Sequence, residues 1–180
     1  MIETYSSSKS DFADLAGPGI GVAVAESSVL VSVGENKTGS PHMHAYILDS
    51  DPNAVNFSIK TIDATGTRDP FFHVYPASEL ATRALHHLGL SHDIQGINFS
   101  WAHPSFRPDG RSDNFTRYMQ AKHDLLKTMP EDKAKILAAH ATWTVQKIAI
   151  PNGYTRVADV LETGMSPDDP GEISGTVWRP

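Results

Sequence analysis

A chain of 180 residues with 39% apolar and 20% charged residues has the make-up of a folded domain, one that removes roughly 70% of its unfolded surface from water. It contains no cysteine, which excludes disulfides, thiolate zinc sites, iron–sulfur clusters, thiol nucleophiles and the zinc deaminase signature. A net charge of −6 argues against broad non-specific attraction to nucleic acid or anionic lipid.

The charge is unevenly spread. Residues 1–59 hold two Lys against seven carboxylates, residues 60–130 eight Lys/Arg against seven, and residues 131–180 five against seven. Only the middle third is net positive, and it carries six of the nine histidines. No apolar run reaches membrane-spanning length, and Met1 to Phe12 lacks the apolar stretch of a signal peptide. The expectation is a soluble protein without a membrane partner, residing in the cytoplasm or delivered into a target cell without a classical signal peptide.

In chain order, residues 1–17 read as an irregular lead-in and residues 18–162 as a single α+β domain. Alternating Val22, Val24, Val29, Val31 and Val33 around Glu26-Ser27-Ser28 predict a β-hairpin. His44 to Leu48 and Val55 to Ile62 predict two further strands joined through the turn formers Asp49 to Asn53. In the second, Val55, Phe57 and Ile59 face one way while Asn56, Ser58 and Lys60 face the other. Leu80, Ala81, Ala84, Leu85 and Leu88 predict a helix over 78–88 with Gly89 as its stop.

Ile94 to Trp101 predicts a strand with Asn98 and Ser100 on its polar face. Ser112 suits the N-cap of a helix with a stripe of Phe115, Tyr118, Met119, Leu125 and Leu126. Thr128 to Glu131 reads as a capping box opening a long helix to Ile150. Tyr154 to Leu161 predicts the last strand, and residues 163–180, rich in Gly, Pro, Asp and Ser, predict an irregular tail. The order favours an α+β fold with a mostly antiparallel sheet and three helices. A Rossmann or P-loop reading fails, because Gly17-Pro18-Gly19-Ile20-Gly21 precedes a strand instead of following one.

Several constellations bear on chemistry, none a complete catalytic motif. His42-Met43-His44 places two imidazoles on one strand face with Tyr46, about 6–7 Å apart along the backbone. A metal there needs a third ligand, and the chain supplies no obvious one, Asp49, Asp51 and His73 being possible only by tertiary proximity, so no metal and no cofactor is expected. His103-Pro104-Ser105 and His140-Ala141-Thr142 fit the histidine motif of two-histidine phosphoesterases. Ser and Thr together fill 30 positions, so roughly 1.5 such matches arise by chance among nine histidines. His140 shares a helical face with Ile136 and Trp143, which reads as a core position with one satisfied ring nitrogen. His87 joins the Leu80 and Ala84 stripe, His86 the exposed side, where Glu79 and Arg83 read as a surface ion pair.

The densest set is His103, Arg107, Asp109, Arg111, Ser112, Asp113 and Asn114, between a strand end and a helix start. Guanidinium groups beside helix N-terminal amides favour an oxyanion, and His103 exchanges a proton near neutral pH. The candidate roles are His103 and Asp113 in catalysis, and Arg107, Arg111, Asn114, Asn98 and Lys60 in substrate binding. The competing reading is a structural connection in which Ser112 caps the helix and Asp113 stabilises its first turn.

Ser112-Asp113-Asn114-Phe115, Ala141-Thr142-Trp143-Thr144 and Gly153-Tyr154-Thr155-Arg156-Val157 together resemble C-terminal cargo domains of bacterial polymorphic toxins and related effectors. The similarity spans about residues 94–160, with Val145 standing where that pattern has glycine. What the resemblance implies is an effector-type enzyme, often a nuclease or a nucleotide-modifying enzyme, with an immunity or inhibitor protein as partner; the acidic balance favours a nucleotide or dinucleotide over a long duplex, while a locally basic groove would admit RNA. The alternative is a non-catalytic protein-binding module, such as an inhibitor or a phage accessory protein.

Overall fold

Tight turns organise the first half of the chain. The computed structural model describes residues 10–15, 17–34, 40–63, 65–102, 113–164 and 171–180, in two units, Met1–Ile94 and Gln95–Pro180. The fold is α+β, and each strand pairing within either unit is antiparallel. The described residues hold four α-helices, against the three that the sequence suggested.

In the first unit, β1 (Ile20–Ala25) and β2 (Ser28–Val33) form the anticipated hairpin about Glu26-Ser27. β3 (His42–Leu48) and β4 (Asp51–Lys60) continue the meander. The loop anticipated over Asp49 to Asn53 contracts to Asp49-Ser50, because a register irregularity at Ile47/Leu48 absorbs the offset and lets Asp51 join the ladder. After α1, the single turn Phe71–Val74, α2 (Ala77–Gly89) lies across β2, β3 and β4. Its Leu80, Ala81, Ala84 and Leu88 meet a sheet face whose Val29, Val31, Met43, Ala45 and Val55 are fully buried. That covering assigns the opposite face, with the even-numbered residues of β3 and β4, to the polar side chains.

The lead-in is more ordered than its composition indicated. Ser10–Leu15 is a 3₁₀ helix with Phe12 and Leu15 buried. Arg83 fastens it, donating from Nη1 to Asp11 O at 3.2 Å and to Asp14 Oδ1 at 2.8 Å, and from Nη2 to Glu79 at 2.7 Å. The anticipated Glu79–Arg83 pair is thus part of a tertiary clamp. His87 is buried, with Nε2–H donating to Ala25 O at 3.0 Å, and His86 is exposed.

The second unit pairs β5 (Gly96–Ala102) with β7 (Glu172–Trp178), and β7 with β6 (Arg156–Thr163). The irregular tail anticipated for 163–180 is therefore corrected: Glu172–Trp178 is the middle strand of three, and Ile173 and Val177 are fully buried. Its Gly and Ser content misled because Gly175 is needed for close packing. A Cβ there would stand 2.6 Å from Phe99 Cζ, and Phe99 is held by stacking on Trp101 at 4.1 Å between ring centroids.

Helices α3 (Asp113–Leu125) and α4 (Glu131–His140) pack on each other. Phe115 and Tyr118 are buried as anticipated, but Met119 and Leu126 are exposed. The inward row continues through Lys122 instead, whose stem is covered while its ammonium reaches Glu162 Oε2 at 2.7 Å. The capping box is also corrected. Thr128 Oγ1 donates backward to Leu125 O at 3.3 Å, and Pro130 stands at the N-cap without a side-chain bond.

The long helix to Ile150 divides after His140. Buried Thr142 turns its hydroxyl onto Ala139 O at 2.7 Å, and the chain resumes as a π turn, Val145–Ala149, and a 3₁₀ turn, Ile150–Asn152. Gly153, at φ 84°, ends that run in the left-handed region.

Candidate functional site

Strand alternation puts His42, His44 and Tyr46 of β3 on the face opposite α2, and the register sets them against Lys60, Ser58 and Asn56 of β4. Six polar side chains thus share one surface of two neighbouring strands. His42 Nδ1 lies 2.8 Å from Ser40 O, and its Nε2 lies 2.9 Å from Ser58 Oγ. A carbonyl only accepts, so Nδ1 carries the proton. In the neutral ring Nε2 is then the acceptor and the Ser58 hydroxyl the donor.

This is a serine hydrogen-bonded to an imidazole that a third group orients, the arrangement that activates a weak nucleophile. Ser58 is exposed. Lys60 stands two residues along the same strand, about 7 Å away.

His44 packs on Tyr46, with ring centroids 4.8 Å apart and planes inclined by 34°. Burial, and secondly the neighbouring His42, push its pKa below the usual histidine value. At a given pH it is therefore less charged than an exposed histidine. Asn56 adds a buried Nδ2 with no hydrogen-bond partner among the described residues. Such an atom costs about 1–3 kcal/mol in lost hydration.

Both nitrogens of His42 are engaged with Ser40 and Ser58, which leaves neither for a cation. Among the described residues no group of three or more His, Asp or Glu side chains has the disposition of a metal centre.

The candidate residues from the sequence are dispersed. Lys60 belongs to the β3–β4 face. Asn98 accepts the Thr176 hydroxyl at 2.7 Å within the β5–β7 pair. Asn114 clamps the turn after α4: its Nδ2 donates to Thr144 Oγ1 at 2.9 Å, and its Oδ1 accepts the Thr144 N–H at 3.1 Å. Both ends of that amide serve the packing of α3 against the chain near Thr144. Asp113 begins α3, with its side chain outside the described set. His103, Arg107, Asp109, Arg111 and Ser112 lie outside the described residues.

His140 sits at the end of α4, half-buried, with burial pushing its pKa down. Its anticipated companion Ile136 is exposed, so that face is not a core stripe. Ser58 is the residue that sequence reasoning passed over as a nucleophile. The signals were present, in the H-x-H pair and in the alternation of Asn56, Ser58 and Lys60. Only the register brings the two sets together.

A separate charged cluster in the second unit has the character of a brace. Glu162 accepts from Lys122 Nζ at 2.7 and 2.8 Å and from the Tyr118 hydroxyl at 2.6 Å, with Lys135 at 3.7 Å. Burial raises its pKa, but these bonds and charges outweigh burial and leave it below the ordinary value. Burial and the carboxylate push the Tyr118 phenol far up. Donors and acceptors are satisfied together, and the cluster joins α3, α4 and β6.

In comparisons with protein-family models, curated proteins and solved structures, nothing matches this chain. No helix among the described residues is long and apolar enough to cross a membrane.

Proposed function

We propose that this chain is a hydrolase or group-transfer enzyme for a phosphate-bearing substrate, with Ser58 as nucleophile, His42 as its base and Lys60 attracting the anion. The observation that carries the reading is the hydrogen-bonded series Ser58 Oγ, His42 Nε2, His42 Nδ1 and Ser40 O. Ser58 Oγ attacks phosphorus and gives its proton to Nε2. The bond to the leaving oxygen breaks, and that oxygen takes the proton back from the imidazolium. Water then gives a proton to the same nitrogen as it attacks phosphorus, the bond to Ser58 Oγ breaks, and that oxygen takes the proton back from the imidazolium. The Ser40 carbonyl keeps the ring in the reactive tautomer.

The effector setting belongs to this proposal and rests on the sequence resemblance: a nucleotide, dinucleotide or RNA as substrate and an immunity protein as partner. The assignment of His103, Arg107 and Arg111 as a further acid/base and anion clamp, with Asp113, Asn114 and Asn98 in supporting places, is also proposed and rests on their concentration in the sequence between a strand end and a helix start. The Asn114 and Asn98 bonds described above favour structural duties for those two.

The test is hydrolysis of p-nitrophenyl phosphate and bis-p-nitrophenyl phosphate, together with labelling by a fluorophosphonate. Ser58→Ala and His42→Gln are expected to lower the rate at least ~100-fold, with the label found by mass spectrometry on the peptide bearing Ser58. Full activity in Ser58→Ala would overturn the assignment. A separate arm addresses the arginines: sulfate is expected to raise the melting temperature of the wild type more than that of Arg111→Ala.

A further inference from the structure

The outer edge of the first unit's meander carries no guard of its own among the described strands. β1 pairs with β2 alone among the described strands, and its sequence, Ile20-Gly21-Val22-Ala23-Val24-Ala25, contains no charge and no proline. Natural edges are commonly guarded by charges, proline or a bulge, because their free N–H and C=O groups are templates for another strand. β6 in the second unit shows that guard: its pairing breaks between Ala158 and Leu161, Asp159 adopts φ 55°, and the exposed Arg156 adds charge.

The backbone phase of β1 follows from the hairpin. A two-residue turn at Glu26-Ser27 makes Ala25 and Ser28 a hydrogen-bonded pair, so Ala25, Ala23 and Gly21 direct their backbone groups to β2. The Gly34 N–H donating to Gly19 O at 2.7 Å keeps the same phase at the far end. Val22 and Val24 therefore turn N–H and C=O outward. The Ile20 N–H is already taken by Gly17 O at 3.1 Å.

We infer that β1 is a homodimerisation edge, pairing antiparallel with β1 of a second copy about a two-fold axis at Ala23. The occupant is argued from self-complementarity. In this register Val22 of each copy meets Val24 of the other as a hydrogen-bonded pair, and Ala23 meets Ala23 on the axis, where its small side chain allows close approach. Gly21 meets Ala25, so no like charges are opposed. The Val22 side chain, 36% exposed in the single chain, is covered by Val24 of the other copy.

The pairing is read on the whole chain by light scattering and sedimentation across a concentration series. The wild type is expected to dimerise with rising concentration. Val22→Pro removes an outward N–H without touching the β1–β2 ladder, and it is expected to be monomeric with an unchanged circular dichroism spectrum. Ala23→Lys opposes two ammonium groups at the axis and is also expected to be monomeric, as is Ala23→Glu. Mixing the two is expected to restore a heterodimer, a result that does not depend on how well the proline variant folds. In the wild-type dimer, amide exchange at Val22 and Val24 is expected to slow with concentration. A wild type that stays monomeric, whether free or with β1 covered by another segment, overturns the inference. So does a dimer that survives Ala23→Lys, or a lysine and glutamate mixture that stays monomeric.

Discussion

Replacing Ile173 with alanine tests whether the C-terminal strand is part of the second unit's core. Ile173 is fully buried in β7, between β5 and β6. The change removes three carbons, about 2.4 kcal/mol of transfer free energy at ~0.8 kcal/mol each. Strands on both sides restrict collapse, so a cavity contribution raises the expected cost to about 3–4 kcal/mol. The three tryptophans, Trp101, Trp143 and Trp178, all lie in this unit, so their fluorescence reports its unfolding. At an m-value of about 2 kcal/mol per molar urea, the midpoint falls by about 1.5–2 M. Leu161→Ala, in the neighbouring strand but 61% exposed, is the control and is expected to stay within about 0.5 kcal/mol of wild type. An Ile173→Ala midpoint matching that control would falsify the placement of β7 in the core.

Four further outcomes are expected. Gly175→Ala drives a Cβ to 2.6 Å from Phe99 Cζ and 3.2 Å from Ala158 O, so the same fluorescence transition should lose about 1–3 kcal/mol; a neutral result would show that Phe99 yields. Asn114→Ala removes both bonds to Thr144 and should cost about 1–3 kcal/mol in urea unfolding, with no loss expected if the clamp is idle. Because the Glu162 pKa is lowered by folding, its stabilisation is complete above the unfolded carboxyl value and fades as pH falls through the folded one. Lys122→Met removes the cation bonded to that carboxylate, so acid unfolding should begin at higher pH, and superimposable acid transitions would refute the brace. His44, whose pKa is lowered by burial and by His42, should titrate below the usual histidine value in proton NMR; a midpoint at or above 6.5 would contradict its environment.

Local pattern accounts for much of this fold. Period-2 alternation marked β1 to β5, and the period of 3.6 marked α2 with its buried stripe and placed His87 inside and His86 outside. These features depend on neighbours a few residues apart, so the chain declares them directly. The pairing of His42 and His44 with Tyr46 on one face was legible for the same reason. Thr128 was ambiguous even locally, because its hydroxyl can close one helix or open the next, and packing of α3 against α4 decided the matter.

What the tertiary structure alone decided involves partners far apart in sequence. Glycine and serine in the last strand looked like a loop until Phe99 and Ala158 closed on Gly175, where a side chain has no room. Lys122 finds its partner in Glu162, forty positions away, which receives its ammonium. Ser58 became a candidate nucleophile only when the β3–β4 register set it beside the Nε2 of His42. Sequence determines which side chains share a face of one strand or helix, because that geometry repeats every few residues. Which faces meet depends on register and packing, and these are settled by contacts whose spacing along the chain carries no period to read.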